Sequence, residues 1–343
     1  MRNSLHLVSN MPLIRQTLAI LRLPFVLLRI VVQAVLVLLS SLYHRMQAAF
    51  FLRVSQGLAA VRGDAHSLCI FAHYDEHKAV ADYVVHYVSQ LHAAGCDIVF
   101  VSTSKLPSAE VEKLSAYCLQ IITRPNWGYD FGSYRTGYGA ATAMLENYDR
   151  VIFANDSVYA PIRPLTDFFA KLSKLDYDII GATDSWEHCY HAQSYFLSVN
   201  AKTAVSKEFC SFLSSINYFP LSKWVVIFSG EVALTKRLRK KGVTVGAVYP
   251  YSYVKRAFLA NDGDRNVSNS SPASKFVNPS HYFWATLVEE FDCPFLKIEL
   301  LRSNPVGIPV SSQWIDLVSQ SGNYDPELIL EHLKRVNAVG GAL

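Results

Sequence analysis

The feature that most constrains this chain is an alternation, between residues 67 and 182, of short apolar runs with segments of helical spacing. Residues 67–72, 97–103, 119–123, 150–154 and 178–182 read as strands. Between the first two, residues 77–94 set Ala79, Val80, Tyr83, Val84, Tyr87, Val88 and Leu91 at helical spacing, and Gly95 stops the helix. Residues 108–117 read as a short helix with Ser108 as a cap, and 132–147 as a helix despite its glycines. A later helix, 232–240, ends at Gly242, and 243–249 returns as a strand. This order predicts an α/β fold, a mostly parallel sheet with helices on both faces. Ligands of such sheets bind beyond the carboxyl ends of the strands, which singles out 73–76, 124–135 and 155–157.

The length of 343 residues, with 51% hydrophobic and 17% charged, allows a sizeable core and excludes global disorder. The formal charge of +4 is unevenly spread: residues 1–63 hold seven Arg with no Lys and no acid, and the rest hold 25 Lys and Arg against 28 acids. A slightly acidic body argues against a nucleic-acid partner, and the basic extension suits an anionic membrane surface. Within 12–53, Arg15, Arg22, Arg29, Gln33, Ser40, His44 and Gln47 fall in one narrow helical stripe on an otherwise apolar surface. Arg29 cuts the apolar run below the length a spanning helix needs, so an amphipathic helix in the membrane interface is expected. The alternative is a helix packed on the body or on a second copy of the chain, giving a homo-oligomer. The six cysteines are widely spaced, without a CxxC pair, which favours buried thiols and a reducing compartment. The expected organisation is 1–60 as the membrane-associated segment, 66–260 as the core, and 261–343 as a mobile loop plus a C-terminal extension. The polar stretch 261–274 cannot bury itself and reads either as a lid over a ligand, with Lys275 or His281 behind it, or as a surface loop.

No GxGxxG, Walker, GxSxG or HExxH pattern occurs. The segment NWGYDFGSYR, from Asn126 to Arg135, packs two glycines, aromatics, an acid and a base into one turn. It reads as a ligand loop in which an aromatic stacks on a base while Asp130 and Arg135 meet a ribose and a phosphate. The competing reading is a tight turn with core aromatics. Asp156, at the end of the 150–154 strand, suits a hard divalent cation on diphosphate oxygens, or a turn cap. Glu231, at a helix start, reads as a general base or as an ordinary first-turn acid. The alternation HAQSYF reads as a strand with one exposed face, placing His191 and Gln193 in an acceptor groove, and His281 is a further metal or phosphate contact.

The strings NWGYDFGSYRTG, YDRVIFANDSVYAP, HAQSYFLSVN, SGEVALTKRLRKKG and NPSHYFWATLVEEFDCPFLKIELLRSNP, in this order over roughly 67–305, resemble the rhamnan synthesis protein F family. The resemblance implies a GT-A-like fold and a bacterial surface-polysaccharide glycosyltransferase of the hexosyltransferase class. A more distant similarity to family 2 inverting glycosyltransferases aligns Asn126-Trp-Gly128, Asn155-Asp-Ser157 and Gly230-Glu231 with that family's stations. Both outer aspartates of its DxD are absent here. The resemblance supports donor binding by Asn126, Gly128 and Asn155, a Mg2+ or Mn2+ ion on Asp156, and Glu231 as base. The residues themselves add Tyr74, Asp75, Asp130 and Arg135 on the donor side, His281 as a further metal contact, and His191 and Gln193 on the acceptor side. The donor is a nucleotide-diphosphate sugar, dTDP-rhamnose if the family name is followed. The acceptor is a lipid-linked or growing glycan at the cytoplasmic face of the inner membrane. A catalytically inactive saccharide-binding or scaffolding module is the competing class.

Overall fold

The computed structural model describes residues 53–63, 65–216, 226–261, 276–308, 310, 313–320 and 322–340, with seven further positions between 28 and 39. The chain divides into two units near Phe50 and Phe51. In the first, Leu28, Val31, Val32, Ala34, Val35, Leu38 and Leu39 are helical and exposed. The stripe residues from Arg15 to Gln47 and the stretch 262–275 lie outside the described residues. Among those described, no helix is long and apolar enough to cross a membrane.

In the second unit the strands are β1 (Arg53–Gln56), β2 (Ser67–His73), β3 (Cys96–Ser102), β4 (Gln120–Thr123), β5 (Arg150–Asn155), β6 (Val158–Tyr159), β7 (Ile179–Ser185), β8 (His191–Ala192), β9 (Phe196–Asn200), β10 (Val245–Tyr249) and β11 (Leu296–Lys297). The main sheet runs β1-β4-β3-β2-β5-β9-β7-β10, with β8 beside β7. β2 pairs in parallel with β3 and β5, β3 with β4, and β7 with β10. Two findings depart from a simple parallel reading. Arg53–Gln56, expected at the end of the helical segment, is an antiparallel edge strand on β4, where its extended backbone satisfies the ladder groups of that edge. β9 runs antiparallel between β5 and β7, because the return from β7 through β8 is too short for the crossover a parallel strand needs.

The strand runs are continuously apolar because both faces of the sheet are covered. Along β2, Cys69 and Phe71 join one core cluster with Tyr87, Phe100, Phe196 and Phe295, while Leu68, Ile70 and Ala72 join another with Tyr134, Phe153 and Phe209. The helix Asp82–Ala93 buries Tyr83, Val84, Tyr87, Val88 and Leu91, and Gly95 follows it at φ 90°. It starts later than its periodicity suggests, because the Asp75 carboxylate accepts the amides of His77 and Ala79 and sets a turn there. Pro107, not Ser108, precedes the helix Ser108–Ser115. Four cysteines are buried, while Cys189 is exposed and Cys210 intermediate. The C-terminal part completes the core: Phe295, Trp314 and Ile329 belong to the first cluster, and β11 pairs with β6.

The helix Tyr129–Ala141 lies against the sheet through Gly137, where a Cβ would fall 2.4 Å from Ile70 Cγ2 and 2.9 Å from Val101 Cγ2. Both neighbours are core side chains on strands, with little room to retreat. Overpacking of about 1–3 kcal/mol exceeds the roughly 1 kcal/mol that alanine gains over glycine in a helix. Gly137→Ala is therefore expected to lower the melting temperature measured by circular dichroism, whereas Gly139→Ala, where a Cβ meets nothing within 4 Å, raises it.

Candidate functional site

The carboxyl ends of β2 and β5 and the start of β9 converge on one turn, Asn155-Asp156-Ser157. The turn is built by its own polar groups. Asn155 Oδ1 accepts the Ser157 amide and hydroxyl at 3.1 and 2.6 Å, and Asn155 Nδ2 donates to Asp130 Oδ2 at 2.9 Å. Asp156 Oδ2 accepts the Tyr74 amide at 2.8 Å and lies 4.0 Å from His73 Nε2. Burial first, then the negative charge of Asp130 and Asp75, pushes the Asp156 carboxyl well above its usual 3.8. Burial lowers His73 to about 4, so it stands as a neutral imidazole, with Nδ1 held by the Ser102 hydroxyl at 2.9 Å. Asp130, Asn155, Asp156 and exposed Tyr74 are thus brought together at the end of the sheet.

The segment from Asn126 to Arg135 is a strand-to-helix turn folded around a buried arginine that the sequence reading did not single out. Arg124 donates to the Trp127 carbonyl and, at 3.2 Å, to the Ser133 hydroxyl. A Cβ at Gly132 would lie 2.4 Å from the Trp127 oxygen and 3.0 Å from the Arg124 guanidinium, so this glycine makes room for protein rather than for a ligand. Gly128 stands at φ 80° and admits the chain into the helix Tyr129–Ala141. Asn126 and Tyr129 are exposed at this turn. Asp130 sits in the first helical turn beside Asn155, whereas Arg135 donates to the Ile216 carbonyl at 2.9 Å, tying the helix to the end of Lys207–Ser215. Asp75, expected at the donor, is engaged by the backbone turn above and by Arg335 Nη2 at 2.5 Å, which anchors the helix Glu327–Gly340.

Glu231 lies in a π-helical turn, Ile227–Val232, that leads into the helix Ala233–Arg239. Its Oε1 is 3.1 Å from His191 Nε2, and its Oε2 accepts the Ser194 amide and hydroxyl at 3.2 and 2.5 Å. His191 Nδ1 donates to the Cys189 carbonyl at 2.7 Å, so both ring nitrogens face acceptors, an arrangement that favours the protonated ring. Burial lowers the His191 pKa, but the Glu231 carboxylate outweighs it and leaves it above 6.5. Burial raises Glu231, and His191, Ser194 and Lys297 outweigh that, leaving it below 4.5. The pair contributes full stability between these ordinary values. It loses it as pH rises through the raised His191 pKa or falls through the depressed Glu231 pKa.

His191 and Gln193 do not line an open groove. Both are buried, and the segment expected to expose one face is buried from His191 to Val199. Gln193 accepts from Thr183 Oγ1 at 2.6 Å and donates to Asn278 Oδ1 at 3.1 Å, so both ends of its amide are engaged. A lone polar alternation reports period, not exposure, and here the π-helical turn Ile227–Val232 and the helix Ala233–Arg239 pack on β8.

Lys297 connects the two halves of the site. β11 is fixed on β6, with Ile298 donating its amide to the Ser157 carbonyl. The Lys297 ammonium then lies 3.2 Å from Ser157 Oγ and 4.4 Å from the Tyr195 ring centroid, and its charge helps depress Glu231. The signal in the sequence was a single base inside the apolar run CPFLKIELL. His281 is buried on the short helix Pro279–Tyr282. Among the described residues, no group of three or more His, Cys, Asp or Glu side chains is disposed to hold a metal ion. Asp156 offers one carboxylate that already accepts an amide, so the donor set does not fit a protein-built cation cage.

Residues 98–340 match the rhamnan synthesis protein F family. The chain belongs to this family. As a rhamnan synthesis protein F family member it is 31% identical over 225 residues to virulence protein VirA of Vibrio anguillarum, covering 61% of this chain and 71% of that protein. It is 28% identical over 209 residues to uncharacterized protein y4gN of Sinorhizobium fredii, covering 60% of this chain and 53% of that one. Among solved structures, the catalytic domain of Drosophila β1,4-galactosyltransferase 7 overlaps 73% of this chain and 79% of its own, at 8% identity and a TM-score of 0.33.

Exchange of His191 for glutamine would remove the cation from Glu231 and leave burial as the dominant influence on its carboxyl. The Glu231 pKa should then rise. The acidic limb of the kcat/KM profile is expected to move to higher pH in His191→Gln, and an unmoved limb would show that Glu231 does not set it.

Proposed function

We propose that this chain is a glycosyltransferase that moves a sugar, rhamnose by the sense of its family, from a nucleotide-diphosphate donor to a hydroxyl of a lipid-linked or growing surface polysaccharide. The observation that carries this reading is a hydrogen-bonded Glu231, held despite its burial below its ordinary pKa chiefly by His191, with the Lys297 ammonium near enough to add to that effect from its place on Ser157 of the Asn155-Asp156-Ser157 turn. With both Oε2 bonds taken by Ser194, Oε1 keeps one lone pair beside His191 for an incoming proton. The acceptor O–H gives its proton to Glu231 Oε1, and the oxygen attacks the anomeric carbon from the face opposite the diphosphate. The carbon–oxygen bond to phosphate breaks, and the electron pair leaves on the phosphate oxygen. Lys297 offsets the charge that develops there. A single base on the acceptor side supports inversion of configuration. Asp130, oriented by Asn155, meets the nucleotide end with exposed Tyr74 beside it. His191 and Ser194 fix the base without touching substrate.

Attachment at the cytoplasmic face of the membrane is part of the same proposal. It is supported by the seven arginines of residues 1–63 and by the exposed Val and Leu side chains of the described helical positions. The test is incubation of the purified full chain with dTDP-rhamnose, and with UDP- and GDP-sugars in parallel, scoring nucleotide release and sugar transfer to an α-linked rhamnose tetrasaccharide. Transfer with inverted anomeric configuration is the expected result. Saccharide binding without turnover of any donor would favour the inactive binding module.

A further inference from the structure

Beside the base the molecule leaves aromatic rings in water. Trp186 and Phe276 are 43% and 59% exposed, and their rings stack with centroids 5.8 Å apart and planes 27° from parallel. The Tyr190 ring lies 5.1 Å from that of Trp186, tilted by 55°, and the Lys255 ammonium lies 5.8 Å from the Phe276 centroid. A second ring, Phe228, is 48% exposed and lies 5.0 Å from the His188 ring. Soluble proteins seldom leave several large rings together in solvent without a ligand for them.

The place of these rings argues for their occupant. Trp186 and His188 stand on the loop from β7 to β8, and this loop closes directly onto the base: Ser185 pairs with His191, which contacts Glu231. Glu187, between the two rings, is near enough to His191 to raise its pKa. Phe228 lies in the same π-helical turn as Glu231. Two of the three rings, Trp186 and Phe228, thus stand on the segments that carry the base and its His191 partner, and Phe276 reaches Trp186 from a third. A pyranose ring has a flat face of C–H bonds and a rim of hydroxyls. It fits a shelf that is apolar on its floor and bordered by His188, Glu187 and Lys255.

We propose that Trp186, Phe276 and Phe228 form the subsite for the saccharide acceptor, stacking on the sugar rings that precede the hydroxyl delivered to Glu231. This rests on the glycosyltransferase reading above and names its acceptor class, a neutral glycan chain of more than one residue. In this arrangement one sugar ring lies on the Trp186–Phe276 pair and another on Phe228, hence an acceptor of more than one residue.

The test uses the full chain and an α-linked rhamnose tetrasaccharide as probe, with Trp186→Ala, Phe276→Ala and Trp186→Phe. Each alanine variant is expected to raise the acceptor KM, and the Kd from calorimetric titration, about tenfold. The change should fall mainly on KM rather than kcat, while Trp186→Phe recovers most of the affinity and the dTDP-rhamnose Kd stays at its wild-type value. Unchanged tetrasaccharide affinity in both alanine variants overturns the proposal. So does loss of binding to phosphatidylethanolamine–phosphatidylglycerol vesicles, or of self-association in sedimentation, with saccharide affinity intact; the shelf is then a membrane or protein face. Failure of the glycosyltransferase reading looks different: no donor is turned over by any form of the protein, while the calorimetric arm still reports on the shelf.

Discussion

Glu231→Gln should retain donor binding and lose transfer by about 10²–10⁴-fold, the range associated with a positioned general base. The amide keeps the size of the side chain and can still accept from Ser194, so the π-helical turn has no steric reason to change. It cannot take the acceptor proton. His191 would lose the carboxylate that holds its proton and would titrate at lower pH. Three measurements separate a chemical role from a binding one: kcat for transfer, donor Kd by calorimetry, and the far-ultraviolet circular dichroism spectrum. A loss confined to donor affinity would make Glu231 a binding residue. A lost spectrum would mean that its hydrogen bonds are chiefly architectural.

Lys297→Met should lower kcat by about 10²–10³-fold, comparable to removing one preorganised donor from a developing anion. Methionine fills a similar volume over Tyr195, so packing is largely retained. The positive charge beside the Asn155-Asp156-Ser157 turn is removed, and with it one of the influences that depress Glu231. The acidic limb of the pH–rate profile should therefore shift upward together with the fall in kcat. Lys297→Arg keeps the charge and should recover part of the rate. A lysine that only packs β11 against Tyr195 would lower the melting temperature without either kinetic change.

What was legible in the sequence follows the range of the forces involved. The β2 strand, the Asp82–Ala93 helix and its stop at Gly95 were readable because periodicity and a left-handed glycine act within one or two turns. Asp130, Asn155 and Asp156 were each singled out, yet nothing local says that Asn155 reaches Asp130; that contact depends on the turn made by Gly128. Gly132 sits in the loop whose composition suggests a ligand, yet the guanidinium beside it comes from Arg124 through a tertiary fold of the loop. Lys297 meets Ser157 across 140 positions of sequence, far beyond any pattern that a window can detect. His191 and Gln193 show the reverse error, in which a local alternation was read as exposure although distant segments bury it.

The reversed strand β9 also has a consequence for how the chain is made. β2 to β5 follow one another in sequence, and their parallel pairings close as each crossover segment emerges during synthesis. β5 is fully apolar between Val151 and Ala154, and its outer edge is paired only by Phe196–Asn200. Until that segment leaves the ribosome, the nascent sheet ends in a sticky, unpaired border of the kind that recruits other chains. The intervening segment delays that pairing, and α-helix Leu165–Leu172 is synthesised within the interval with a buried face of Leu165, Phe168 and Leu172. Its Phe168 packs at 4.9 Å on Phe196, a residue of the closing strand itself, so the arrival of one antiparallel strand seals both the border and the helix above it.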